Sequence, residues 1–147
     1  DVYKRQLIKS GFKAPVRTRI RDEIWIKLWG NLSFNPISAL TGATLVEICN
    51  DDGAISIVRK MMIEAAEIAD ALGVNLSVDI EKRIAGAKAV GAHKTSMLQD
   101  LERGRPMEID ALISVVKELG ILTKKPTPTI DSVLALIKQR ARLAGCY

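Results

Sequence analysis

Three polar side chains, Lys27, Asn31 and Asn35, recur at intervals of four residues within a stretch that is otherwise apolar. In an α-helix each residue turns the direction by about 100°, so these side chains form one narrow polar stripe roughly 12 Å long. An ammonium group can stabilise negative charge on an oxygen atom and then donate a proton to it. An amide both accepts and donates hydrogen bonds, which suits a small ligand with hydroxyl, carbonyl and carboxylate groups close together.

The residues around this stripe are apolar and mostly large: Ile24, Trp25, Ile26, Leu28, Trp29, Leu32 and Phe34. A helix that is apolar nearly all round is normally buried, and a buried amide or ammonium group is costly unless a partner hydrogen-bonds it. We therefore expect a ligand or a neighbouring group to face the stripe. Three alternatives stay open on spacing alone: Lys27 extends from a buried helix to water, the asparagines cap neighbouring helix ends, or Asn35 marks a helix break before Pro36.

Two further candidate residues, Ser96 and Glu108, lie in a second polar segment, residues 93–110. Ser96 is followed three residues later by Gln99, which is the pattern of a capping box at a helix start. Glu108 lies near another helix start, where the helix dipole favours a carboxylate whatever its function, and Asp110 shares that advantage. A structural role and a ligand-binding role therefore stay open for both candidates.

The elements that carry these residues are predicted to be helices. Helical periodicity dominates the chain and no segment shows sustained strand-type alternation, so we expect an all-α, multi-helix domain. The clearest helix begins at Asp52, where apolar residues recur with a spacing of three and four up to Leu72 and Gly73 follows as a C-terminal stop.

Shorter patterns predict further helices over residues 79–90, 96–102, 107–119 and 127–144. Gly120 is expected to end the third of these, while Thr127 and Pro128 supply the cap and the first residue of the fourth. Residues 1–17 are expected to be a lead-in, in part an artefact or the end of an inter-domain segment. Residues 18–147 then form the helical domain.

Length and composition indicate one soluble globular domain, because 147 residues with 48% hydrophobic and 27% charged residues can bury a sizeable core. No apolar run approaches the length of a membrane span, and the start of the chain lacks the pattern of a signal peptide. The sequence thus indicates a cytoplasmic protein that does not bind membranes.

Metal and nucleic-acid sites are not indicated. Cys49 and Cys146 lie far apart, with His93 as the sole histidine and no metal-ligand spacing, which is typical of reduced structural thiols. The net charge of +5 arises from 22 basic residues scattered among 17 acidic ones, and aromatic residues make up only 4%. This pattern argues against nucleic-acid binding but suits small anionic ligands.

Two motifs, at this separation, resemble the 2-dehydropantoate 2-reductases, also called ketopantoate reductases. They are EIWIKLWGNLSFNPISAL at residues 23–40 and HKTSMLQDLERGRPMEID at residues 93–110. The resemblance covers nearly the whole chain after about Leu7 and is to the family's C-terminal helical domain, which implies a fold like that of the C-terminal domain of 6-phosphogluconate dehydrogenase. In complete enzymes a Rossmann domain precedes this part, binds NADPH and transfers hydride to 2-dehydropantoate, giving pantoate for coenzyme A biosynthesis.

The resemblance implies a role for each candidate residue. Lys27 matches the catalytic lysine that gives a proton to the substrate carbonyl oxygen, and Asn31 and Asn35 match amides that hold the hydroxyl and carboxylate end. Ser96 matches a serine that contacts the substrate, and Glu108 matches a glutamate placed against the cofactor ribose. A further substrate-binding asparagine of the family has no clear counterpart in residues 41–45.

The chain contains no GxGxxG or P-loop pattern, so we expect the Rossmann domain to be missing from it and the chain alone to be inactive. The expected partners are that domain, a small 2-oxo acid, NADPH and a second copy in a homodimer. One alternative is a reductase of another 2-oxo acid in the same superfamily. The other is a non-catalytic helical dimerisation module, in which the apolar face of residues 55–72 pairs with a copy of itself.

Overall fold

The computed structural model describes residues 2–13, 15 and 19–147. Eight α-helices and one π-helical segment are found there: α1 (Val2–Lys9), α2 (Ile20–Thr41), α3 (Leu45–Asn50), α4 (Asp52–Ala71), α5 (Ile80–Val90), α6 (Ser96–Glu102), the π-helix (Asp110–Ser114), α7 (Val115–Thr123) and α8 (Pro128–Ala144). The described residues form no strand, so the predicted all-α fold is confirmed.

Helix α2 is the central element, and it contacts α3, α4, α6 and α8. Its buried apolar side chains begin at Trp25, whereas Ile20 and Ile24 near its start are exposed. The indole N–H of Trp29 donates to the carbonyl of Met62 on α4 at 2.7 Å. This bond satisfies the polar atom of a large, fully buried side chain and joins the two longest described helices.

The break considered before Pro36 does not occur, because α2 continues through this proline to Thr41. A proline inside a helix removes one backbone hydrogen bond. Residues on both sides of Pro36 are buried among the neighbouring helices, and this packing keeps the helix continuous. The helix ends at Gly42, whose φ of 75° is a left-handed conformation that glycine adopts without strain.

The predicted helix from Asp52 is confirmed, and Asp51 caps it by accepting from the N–H of Ala54 at 2.7 Å. Its buried face is wider than predicted, since Met61 and Ile68 are also fully buried. This face packs against α2, α7 and α8 of the same chain. It is therefore not available to pair with a second copy, and the dimerisation module loses its proposed interface.

The helices predicted over residues 79–90, 96–102 and 127–144 are confirmed as α5, α6 and α8. The one predicted over residues 107–119 begins instead as the π-helix and runs on to Thr123. Gly120 does not end it, because this buried glycine marks a close approach: a Cβ there would lie 2.8 Å from the side chain of Thr127. Helix α3 was not predicted.

The cap of α8 also differs from the prediction, since the side chain of Thr127 caps no backbone group and bonds to Asp131 at 3.0 Å. The carboxylate of Glu64 on α4 takes this role and accepts from the N–H groups of Thr129 and Ile130 at 2.8 and 3.0 Å. A tertiary contact thus replaces the local cap and ties α8 to α4.

Helix α1 belongs to the predicted lead-in, and none of its described residues is buried. The predicted domain boundary between residues 17 and 18 lies outside the described residues. None of the helices that the structure describes is both long and apolar enough to cross a membrane.

Candidate active site

A pocket of about 350 Å³ opens between α2, α5 and the loop that leads into α6. It is lined by Gly30, Asn31, Phe34, Asn35, Leu45, Arg83, Ala87, Val90, His93, Thr95 and Ser96. The fold therefore brings three of the five predicted site residues, Asn31, Asn35 and Ser96, to one cavity from two distant segments of the chain.

The polar stripe of α2 runs from solvent into the protein. Lys27 is exposed, Asn31 is half-buried, and Asn35 is only 5% exposed. Within the described part of the chain, nothing hydrogen-bonds either amide, yet no buried side-chain N or O atom there is unsatisfied. Because Asn35 lines the pocket, its amide atoms are accessible to a molecule that occupies the pocket. Neither asparagine side chain bonds to a described helix end, so the alternative that the asparagines cap helix ends is wrong.

Lys27 lies one helical turn before Asn31 on the same face of α2, outside the residues that line the pocket. No described residue forms an ion pair or a hydrogen bond with its ammonium group. A flexible four-carbon stem carries this charge, and the exposure of Lys27 agrees with the alternative that it extends from α2 to water, which stays open.

The capping pattern at Ser96 is displaced by one residue, because Thr95 caps α6 by accepting from the N–H of Leu98 at 3.3 Å. Gln99 does not complete a capping box and bonds to the carbonyl of Lys94 at 2.9 Å. The exposed hydroxyl of Ser96 hydrogen-bonds no described residue, so it is available to a ligand.

The loop before α6 is held in place by backbone hydrogen bonds to the start of α3. The N–H groups of Leu45 and Val46 donate to the carbonyls of His93 and Gly91 at 3.0 and 3.2 Å. These bonds fix the wall that carries Ser96 and His93. The exposed side chain of His93 also lines the pocket, whereas the ammonium of Lys94 forms an ion pair with Glu102 at 2.6 Å.

Glu108 is exposed and lies outside this pocket, just before the π-helix. It hydrogen-bonds through its backbone carbonyl, but in the part of the chain that the structure describes its carboxylate has no partner. Asp110 is different, since Ser114, Lys138 and Tyr147 all contact its carboxylate, and the hydroxyl of Ser114 is the main cause that lowers its pKa. Among the described residues, the carboxylate of Asp110 thus has partners and that of Glu108 has none, a difference that their shared position near a helix start did not predict.

Arg83 is a site residue that the sequence analysis missed. It reaches the pocket from α5, and its guanidinium lies against Gly30 in the middle of α2. A glycine inside a helix next to a polar stripe was the available signal, because glycine is unfavourable there unless another group approaches closely.

The described residues contain no group of three or more potential metal ligands. Cys49 and Cys146 are free thiols, half-buried and buried respectively. Burial raises the pKa of Cys49, and the nearby charge of Lys88 opposes that effect.

These features define a domain that is helical over its described residues, with a pocket lined by both polar and apolar side chains. Residues 19–141 match the family described as "Ketopantoate reductase PanE/ApbA C terminal", and the chain belongs to this family. The predicted C-terminal, helical domain of a ketopantoate reductase is therefore confirmed.

Individual relatives agree with this assignment. The chain is 62% identical over 142 residues to a 2-dehydropantoate 2-reductase of Mesorhizobium japonicum, which covers 97% of this chain and 44% of that protein. A crystal structure from Ralstonia solanacearum, described as that of a candidate ketopantoate reductase, superposes with a TM-score of 0.93 at 38% identity. It covers 99% of this chain and 44% of its own. The chain thus spans less than half the length of either protein.

Proposed function

We propose that this chain is the substrate-binding and catalytic half of an NADPH-dependent 2-dehydropantoate 2-reductase, which reduces 2-dehydropantoate to pantoate. One observation carries the proposal: Asn31, Asn35 and Ser96 meet in one pocket, and no described residue hydrogen-bonds their side-chain polar groups. The identity of 62% to a 2-dehydropantoate 2-reductase supports the choice of substrate.

The proposed chemistry begins with hydride attack on the substrate ketone, which builds negative charge on its oxygen. The ammonium of Lys27, at the outer end of the stripe, stabilises that charge and donates the proton that completes the alcohol. General acid catalysis of this kind typically contributes about 10²–10⁴-fold in rate. Asn31, Asn35 and Ser96 orient the substrate through hydrogen bonds to its polar oxygen atoms.

NADPH, when bound, supplies the hydride. We propose that a dinucleotide-binding domain outside this chain holds most of the cofactor, because the chain covers only 44% of its Mesorhizobium relative. The exposed carboxylate of Glu108, which no described residue engages, fits the two vicinal hydroxyls of a ribose. The complete protein is proposed to act in the cytoplasm as a homodimer.

The test is to restore the coding sequence upstream of residue 1, purify the two-domain protein and follow NADPH oxidation with a panel of 2-oxo acids. We expect 2-dehydropantoate to have the highest kcat/KM and the isolated chain to be inactive. A preference for another 2-oxo acid would contradict the proposed substrate while leaving the chemistry intact. An upstream sequence without a dinucleotide-binding domain would contradict the proposed reaction.

A further inference from the structure

The side chain of Arg83 crosses from α5 to α2 and ends over the backbone of Gly30. A Cβ atom at Gly30 would lie 2.6 Å from Cζ and 2.8 Å from Nε of Arg83, and closer still to Nη2. Real Cβ atoms do not approach other atoms so closely, so any larger residue at Gly30 would displace the guanidinium. The absence of a side chain at Gly30 therefore leaves the space that the guanidinium occupies, next to the residue Asn31 in the same pocket.

The charge of Arg83 is not neutralised by the described residues. Its side chain is half-buried and forms no ion pair or hydrogen bond with any of them. The nearest acidic residues in sequence are engaged elsewhere: Glu81 pairs with Arg59 at 2.8 Å, and Asp79 caps the start of α5. No described residue that lines the pocket is acidic.

A half-buried guanidinium that faces a pocket and lacks a counterion favours an anionic ligand. Its planar, fork-shaped set of donors matches a carboxylate, which it can bind through two parallel hydrogen bonds. The neighbouring amides of Asn31 and Asn35 then remain for the uncharged oxygens of the same ligand.

We propose that Arg83 binds the carboxylate of the 2-oxo acid and so determines that the pocket accepts acids in preference to neutral ketones. This inference rests on the proposed function for the class of ligand. The resemblance implied that Asn31 and Asn35 hold the substrate carboxylate, whereas this inference assigns the carboxylate to Arg83.

The first test compares Arg83→Gln with the wild-type two-domain protein, using 2-dehydropantoate and the pair trimethylpyruvate and its methyl ester. Loss of a charge-assisted pair should raise the KM for both acids about 10- to 100-fold, while kcat changes far less. The kcat/KM for the neutral ester should stay within about twofold, because the ester lacks the negative charge that Arg83 binds. Arg83→Lys should recover part of the affinity for the acids, since it keeps the charge but loses the fork.

Two further variants separate ligand binding from fold and net charge. Lys82→Gln removes one positive charge from the adjacent residue, whose side chain is 79% exposed, and should leave all KM values unchanged. Gly30→Ala removes no charge and favours the helix, yet it should raise the KM for the acids by displacing the guanidinium. Thermal unfolding should show that both variants are folded.

Calorimetric binding of trimethylpyruvate distinguishes failure of this inference from failure of the proposed reaction. Binding that is lost in Arg83→Gln supports the role of Arg83 even if no 2-oxo acid is reduced. Reduction of acids with an unchanged KM in Arg83→Gln overturns the inference and leaves the proposed function standing. Equal losses for acid and ester would show a structural role and also overturn it, and a wild-type protein that neither binds nor reduces 2-oxo acids overturns both.

Discussion

Replacing Asn35 with leucine should separate function from stability. Asn35 is 5% exposed and its amide hydrogen-bonds no described residue. A buried amide without a partner costs roughly 1–3 kcal/mol, and the lower end applies here because the pocket leaves this amide open to water. Leucine has a similar size and no polar atom, so the free energy of unfolding should rise by about 1 kcal/mol. For a chain of this length, that corresponds to an increase in Tm of roughly 3 °C.

Substrate affinity should change in the opposite direction, because leucine leaves a substrate hydroxyl or carbonyl unpaired in the pocket. An unmade hydrogen bond of this kind should raise KM about 10- to 100-fold. The assays are urea unfolding followed by circular dichroism, and steady-state kinetics of the two-domain protein with 2-dehydropantoate.

Thr95→Val provides the matched control. Thr95 is also 5% exposed and lines the same pocket, but its hydroxyl caps α6 through Leu98. This variant should lose about 1 kcal/mol of stability, since a helix cap is removed. If Asn35→Leu were destabilised as much as Thr95→Val, the fold would be using the amide of Asn35, and the reasoning that leaves it for a ligand would be refuted.

Three further predictions concern catalysis, the cap of α8 and acid stability. Lys27→Arg keeps the positive charge but scarcely donates a proton, so kcat in the two-domain protein should fall about 100-fold or more while KM changes little. Glu64→Ala removes the carboxylate that accepts from Thr129 and Ile130, and urea unfolding should show a loss of about 1–2 kcal/mol. Asp110→Asn should unfold at a lower urea concentration at neutral pH. The folded-state pKa of Asp110 is lowered, so its stabilisation is present above its ordinary value of 3.8 and is lost as the pH falls through the folded-state pKa.

Each of these predictions has a contradicting result. A kcat in Lys27→Arg equal to that of the wild type would contradict the role of Lys27 as general acid. Glu67→Ala, an exposed glutamate on the same helix, serves as the control for Glu64→Ala, and equal stability of the two variants would contradict the cap. A difference between Asp110→Asn and wild type that stayed constant down to strongly acidic pH would contradict the role of the Asp110 carboxylate.

The local elements were predictable because their signals lie within one helix. The apolar spacing after Asp52 gave α4, and the interval of four gave the stripe of Lys27, Asn31 and Asn35 on one face of α2. Helical geometry alone relates such residues, so no knowledge of the tertiary fold is needed.

Features that depend on contacts between helices were missed or misplaced. Gly120 has the sequence signature of a helix stop but serves as a close packing contact, and the cap of α8 comes from Glu64, far away in the chain. Arg83 joins the pocket because the tertiary fold brings α5 beside Gly30, which no local pattern encodes. The predicted cap of α6 was wrong by one residue, because Thr95 and Ser96 are both residues that commonly cap helices. The backbone conformation makes Thr95 the cap.

The most direct test is a crystal structure of the two-domain protein with NADP⁺ and pantoate. We expect the hydroxyl formed from the ketone to lie within about 2.7–3.2 Å of the ammonium of Lys27, with the amides of Asn31 and Asn35 on the other uncharged oxygens. Pantoate bound away from this pocket, or a lysine that stays in solvent while pantoate occupies it, would contradict the proposed site.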